Sequence, residues 1–151
     1  NYTNSDAATI SVTTLAEQTG GGETPSEPDT ATATLSFANK AQRTSFSSTK
    51  QVWTQNGITF TNDKASSSTP VADYANPARF YKSSNVTIQA PGEIISISID
   101  CKGLETKYVT PWGTADNGIV TITLDGTSDT YTFNNLSAQA RANSMTVTYL
   151  E

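Results

Sequence analysis

The chain has 151 residues, enough for one domain with an appendage, and its 43 Ser and Thr with only 15% charged residues suit strands that set one face on a core and one in water. The net charge of −5 is uneven: residues 1–30 hold Asp6, Glu17, Glu23, Glu27 and Asp29 and no base, whereas residues 31–151 hold nine acids and nine bases. No basic stripe exists to follow a phosphate backbone, no His and a single Cys remove Ser-His and Cys-His nucleophile pairs, zinc clusters and intrachain disulfides, and no apolar run approaches the ~20 residues of a membrane span, so neither nucleic acid nor a bilayer is an expected partner.

In chain order, "ATISVTTL" (8–15) alternates well enough for one strand, and residues 1–15 are read as an N-terminal arm. "AEQTGGGETPSEPDT" (16–30), with three Gly, two Pro and several acids, cannot bury apolar surface and reads as a flexible linker. A linker of this length spans roughly 20 Å, much more than a hairpin needs, so the arm is expected to lie outside the sandwich core. A lone strand must pair with something. If it is donated to a neighbouring subunit, Ile10 and Val12 are the residues that fill the partner's groove.

From Ala31 onward strand signals recur. "TATLSF" sets Ala33, Leu35 and Phe37 on one face. "GITFTN" does so with Ile58 and Phe60, and "NVTIQA" with Val86, Ile88 and Ala90. "IISISID" presents Ile95, Ile97 and Ile99, and "GIVTITL" presents Val120, Ile122 and Leu124. After an Asp-Gly turn at 125–126, "TYTF" gives Tyr131 and Phe133, and "NSMTVTYL" gives Met145, Val147 and Tyr149. No window shows helical periodicity. The pattern predicts an all-β fold over residues 31–151, a two-sheet antiparallel sandwich of jelly-roll-like kind, in which the first and last strands pair. Cys101 follows the strand alternation and is expected to be a buried, inert thiol.

Two long stretches break the rhythm: residues 38–56, which alternate only at "QVW", and residues 62–85. Loops this long inside a compact domain are usually functional or poorly ordered. The stretch "QVWTQNGITFTNDKASSSTPVADYANPARFYKSSNVTIQAPG" with the ending "ARANSMTVTY" resembles a β-sandwich module of unknown function found in exported proteins of gut Bacteroidetes, at the C-terminal end of surface lipoproteins and multidomain secreted proteins. The resemblance covers about residues 31–151. It implies the fold and an extracellular or cell-surface location, and it transfers no site residue.

The candidate binding residues are Trp53, Asp73, Tyr74, Arg79, Tyr81 and Trp112. A sugar site needs flat apolar faces for ring C–H groups, which Trp53, Tyr74, Tyr81 and Trp112 offer, and planar polar groups for paired hydroxyls, which Asp73 and Arg79 offer. Against that, Arg79 can pair with Asp63 or Asp73 and pin the 62–85 loop. Trp112, in the turn-rich "VTPWGTADNGI" (109–119), can either stack on a ligand or plug an open end of the sandwich. Arg141, before the last strand, reads as a surface or loop-anchoring residue. No cofactor is expected. A structural calcium is the one ion left open, since Asp63, Asp73, Asp116 and Asn117 follow no calcium-loop spacing but sandwich modules often hold one.

No facing pair of carboxylates marks a glycosidase, so a non-enzyme is expected: an extracellular binding or adhesion module with a glycan or surface protein as its partner. The alternative is a structural subunit of a surface appendage, fibre or phage particle that self-assembles through the N-terminal strand.

Overall fold

The computed structural model describes residues 28–151. The expected arm, with Ile10 and Val12, and all but the last three residues of the expected linker lie outside them. In chain order the strands are β1 (Thr30–Ser36), β2 (Arg43–Phe46), β3 (Lys50–Gln55), β4 (Ile58–Asp63), β5 (Ala78–Phe80), β6 (Asn85–Gln89), β7 (Ile94–Asp100), β8 (Ala115–Asp116), β9 (Ile119–Thr123), β10 (Thr130–Phe133), β11 (Ala140–Ala142) and β12 (Ser144–Leu150). The only other regular elements among the described residues are two 3₁₀ turns, Lys40–Gln42 and Thr106–Tyr108.

The fold is an all-β sandwich of two antiparallel sheets. One has the order β1-β12-β7-β9-β8 and the other β10-β6-β4-β3-β2, while β11 and β5 form a separate two-stranded ribbon. The first and last strands pair as expected, with Leu35 opposite Met145 and Ala33 opposite Val147. The sheet extends slightly into the expected linker: Thr30 pairs with Leu150, and the Glu151 N–H donates to the Asp29 carbonyl at 3.0 Å.

Period-2 alternation explains both faces of the sheets. Inward lie Leu35, Phe37, Ile58, Phe60, Ile88, Ile97, Ile99, Val120, Phe133, Met145 and Val147, all buried. Outward, hydroxyls meet across strands: Thr34 with Thr146 (2.8 Å), Thr32 with Thr148 (3.3 Å) and Thr87 with Thr132 (3.0 Å). Ile122 and Leu124 are only partly buried, because β9 has just the two-residue β8 beyond it at the sheet edge.

One expected core position shifts. Ile94, not Ile95, is fully buried. The β12–β7 register slips between Thr148 and Tyr149, so that Ser96 faces Thr148 while Ile94 faces Tyr149. Ile95 is therefore the extra residue of a bulge, and a one-residue insertion moves the side chain before it onto the other face.

Two Asn-Gly pairs make the tight hairpins. Asn56-Gly57 joins β3 to β4 and Asn117-Gly118 joins β8 to β9, with both central residues at positive φ (53° and 83°, 51° and 80°). That geometry matches the strand twist and strongly favours Gly at the second position.

Along the middle of the core runs a chain of aromatic rings packed edge to face. Trp53 meets Phe37 at 5.2 Å, Phe37 meets Phe60 and Phe80 at 4.9 and 5.6 Å, Phe80 meets Trp112 at 5.7 Å, and Trp112 meets Phe133 at 4.9 Å. Contacts of this geometry contribute ~0.5–1.5 kcal/mol beyond the burial of their area.

Candidate functional site

The six sequence candidates separate into two groups. Trp53 and Trp112 are corrected: they are core residues, 0% and 3% exposed, and present no ring face to a ligand. Trp53 lies on the inner face of β3 directly opposite Phe60, and its indole N–H donates to Gln51 Oε1 at 3.1 Å. Trp112 sits between Phe80 and Phe133, and its indole N–H donates to the Arg141 carbonyl at 2.8 Å. Of its two expected roles, the plug is the one realised. A large apolar ring at a turn beside Pro and Gly folds inward when it can also satisfy its one polar group.

Asp73 does not meet Arg79. Its carboxylate is engaged instead by Lys40 Nζ at 2.7 Å and Arg43 Nη2 at 2.8 Å. Hydrogen bonds from Lys40 and then Arg43 hold the Asp73 carboxyl below its ordinary value. The loop after β4 is further pinned to the β2–β3 hairpin by Lys64 N–H to the Thr49 carbonyl and Val71 N–H to the Ser48 carbonyl, both 2.8 Å. The expected anchor of this loop is therefore real, but Arg43 and Lys40 provide it. Arg43 is only 12% exposed, lies 4.2 Å from the Phe46 ring centroid, and has its second terminal nitrogen buried without a partner.

Arg79 is free for another role. It stands in the middle of β5 opposite Arg141 in the middle of β11, in the register Ala140–Phe80, Arg141–Arg79, Ala142–Ala78. The flanking residues Ala78, Phe80, Ala140 and Ala142 are all 0% exposed, so alternation turns both arginines to the outer face of the ribbon. Each guanidinium lies over a tyrosine ring: Arg79 is 3.9 Å from the Tyr74 centroid and Arg141 3.7 Å from that of Tyr108. Tyr108 ends the 3₁₀ turn that packs beside β11. Tyr74 stays 46% exposed. Arg141 Nε also donates to Gln139 Oε1 at 2.7 Å. Tyr81 lies just beyond β5, half-buried, in a turn closed by the Ser84 N–H to the Tyr81 carbonyl at 3.1 Å. Among the described residues no carboxylate lies within ion-pair distance of Arg79 or Arg141; the cations that do pair are Lys40, Arg43, Lys50 and Lys107.

Sequence reasoning missed Tyr108 and undervalued Arg141. The signal was present in "ARF" (78–80) and "ARA" (140–142), where small or aromatic apolar residues flank an Arg as in a short amphipathic strand. The pairing of the two strands was not.

Two hollows lie elsewhere. One, of about 530 Å³, is lined by Cys101, Leu104, Val109, Thr110 and Gly118 among others, with no charged side chain. Burial, and then the charge of Asp100, pushes the Cys101 thiol up to about 11, so it stays protonated at neutral pH and is not a nucleophile. The other, of about 360 Å³, runs past Tyr131, Asn134, Asn135 and the edge of Trp112. For a metal, no three His, Cys, Asp or Glu side chains gather among the described residues, and Asp63 is used by the Ala65 N–H at 2.8 Å. No helix among them is long and apolar enough to cross a membrane.

No protein-family model, curated protein or solved structure matches the chain.

Proposed function

We propose that this chain is a non-catalytic, extracellular binding module of a cell surface, and that it takes glycan on the outer face of the β5–β11 ribbon through Tyr74, Arg79, Arg141 and Tyr108. The observation that carries the reading is the arrangement of the two arginines, opposite each other on a rigid ribbon and each laid on a tyrosine ring. Guanidinium forks present paired donors to ring hydroxyls, and the part of Tyr74 that Arg79 leaves exposed offers an apolar surface to C–H faces. The ribbon is fixed from below by four buried side chains, so the face is preorganised and loses little freedom on binding. The resemblance to exported modules of gut Bacteroidetes, and a composition rich in Thr, Ser and Asn, support the address.

A glycan array probed with the full chain at high concentration is the test. Hits that disappear on Tyr74→Ala support the reading, and an empty array counts against it.

The second reading, assembly through the N-terminal strand, draws support from one feature. β1 is an edge strand, paired on one side only, with β12, and edges accept added strands. Side chains already occupy part of that edge: Asn56 Nδ2 donates to the Thr34 carbonyl at 2.9 Å and the Ser36 N–H donates to Gln55 Oε1 at 2.8 Å. Light scattering of the chain, with and without Ile10→Asp, separates an assembling chain from a monomer.

A further inference from the structure

Resting on that binding reading, we infer that the Arg79–Arg141 pair is an oxyanion clamp, and that the ligand class is acidic polysaccharide, bearing a uronate carboxylate or a sulfate ester, rather than neutral glycan.

The pair lies in register across two antiparallel strands, so the two Cβ atoms are about 5 Å apart. Like charges directly opposite each other on a sheet are destabilising. The other arginine among the described residues, Arg43, ends on a carboxylate, whereas these two face each other and neither has one. An oxyanion set between them removes the repulsion and accepts charge-assisted hydrogen bonds from both forks.

The geometry keeps the forks ready for such a group. The guanidinium carbons lie 3.9 and 3.7 Å from the tyrosine ring centroids, and a guanidinium stacked on a ring keeps its N–H edge for acceptors in its own plane. Arg141 is held on three sides: its Nε by Gln139, its guanidinium by Tyr108, and its carbonyl by the Trp112 indole N–H. It keeps its two terminal nitrogens for a ligand. Arg79 has all five N–H groups available among the described residues.

The surroundings favour a polysaccharide over the other polyanions. Residues 31–151 carry nine acids and nine bases, and Lys107, whose ammonium lies 5.1 Å from the Tyr108 ring centroid, is paired with Glu105 at 3.8 Å, so the neutral domain offers no basic stripe along which to follow a phosphate backbone from unit to unit. Beside it the exposed Tyr74 ring supplies an apolar surface for a sugar ring, which an acidic peptide does not need.

The experiment titrates the full chain, at low and at physiological salt, with polygalacturonate, chondroitin sulfate and neutral dextran, and with polyglutamate and polythymidylate as competing polyanions. Arg79→Gln, Arg141→Gln and Arg79→Lys are compared with the unaltered chain. The acidic polysaccharide is expected to bind at least about tenfold tighter than dextran. Each Gln substitution should cost about ten- to a hundredfold, the loss of one charge-assisted contact. Arg79→Lys should recover only part of it, since an ammonium lacks the fork. Thermal melts supply an independent readout: each Gln substitution removes the repulsion but also a cation–π contact, and Arg141→Gln the bond to Gln139, so both variants should melt within about 4 °C of the unaltered chain.

Dextran binding as tightly as the acidic polymers overturns the oxyanion clamp while leaving the binding module standing. Free sulfate or acetate shifting the arginine side-chain NMR signals, with no polysaccharide bound, overturns the glycan reading while leaving the clamp. Polyglutamate or polythymidylate binding tighter than polygalacturonate overturns the ligand class, and melts lowered by well over about 4 °C for both Gln variants make the arginines structural anchors and overturn the clamp.

Discussion

Trp112→Ala is the substitution whose outcome follows most directly from the packing. The indole is 3% exposed, makes edge-to-face contacts with Phe80 and Phe133, and donates its N–H to the Arg141 carbonyl at 2.8 Å. Burying an aromatic side chain of this size removes ~150–250 Å² from water, and at ~25 cal/mol per Å² that is ~4–6 kcal/mol. The alanine left behind recovers a small part, and measured truncations of buried aromatics cost ~3–5 kcal/mol. We expect a loss of about 4 kcal/mol, a large share of the ~5–15 kcal/mol that holds a domain of this size. Trp112→Phe keeps a ring in the aromatic chain and loses chiefly the hydrogen bond, for about 1–2 kcal/mol. The assay is urea unfolding followed by far-UV circular dichroism, with the slope of the transition compared to confirm that both states are unchanged in extent. Because the carbonyl of Arg141 is one of the groups set free, the glycan binding proposed for the ribbon should weaken together with stability. A variant whose midpoint barely moves while its binding disappears would show that the indole stacks on ligand, and the packing argument would fail.

The remaining predictions concern titration. The Asp73 carboxyl lies below its ordinary value, so the stability it contributes is present above the unfolded value near 3.8 and is lost as pH falls through the folded one. Asp73→Asn should therefore lower the urea midpoint at pH 7 and match the unaltered chain in strong acid; a deficit that persists there would refute the ion-pair account of the loop anchor. The Cys101 thiol is an acid whose folded value is raised from 9.0 to about 11, so the folded state holds its proton longer than the unfolded state does. Its share of stability should decline by about 2 kcal/mol as pH climbs from 9 to 11, a decline absent in Cys101→Ala, and iodoacetamide at pH 8 should alkylate the thiol only once the chain is denatured. Parallel pH curves for the two chains, or fast labelling of the folded one, would overturn that placement.

The period-2 alternation of residues such as Leu35, Phe37, Ile97, Ile99, Met145 and Val147 was legible in the sequence, and with it the sandwich, the Thr-lined outer faces and the pairing of first and last strands. A strand's faces are a local property: each residue's orientation follows from its neighbours along the chain. Where a second strand enters, that locality ends. The bulge that buries Ile94 in place of Ile95 exists only in the register between β7 and β12. The Asn117-Gly118 hairpin, whose dipeptide is a turn signal, escaped notice because the strand before it has two residues and no alternation to read.

The candidate site was half legible. Tyr74 and Arg79 were identifiable as an aromatic and a cation in a long polar excursion, but the sequence offered Asp63 or Asp73 as the partner of Arg79, because opposite charges nearby in the chain are the natural guess. Tertiary structure gave Asp73 to Lys40 and Arg43, turned both tryptophans into the core, and set Arg79 against Arg141. Those outcomes depend on which distant segments share a ribbon and which cavity an indole can fill, and these are decided by packing between elements rather than by the pattern within any one of them.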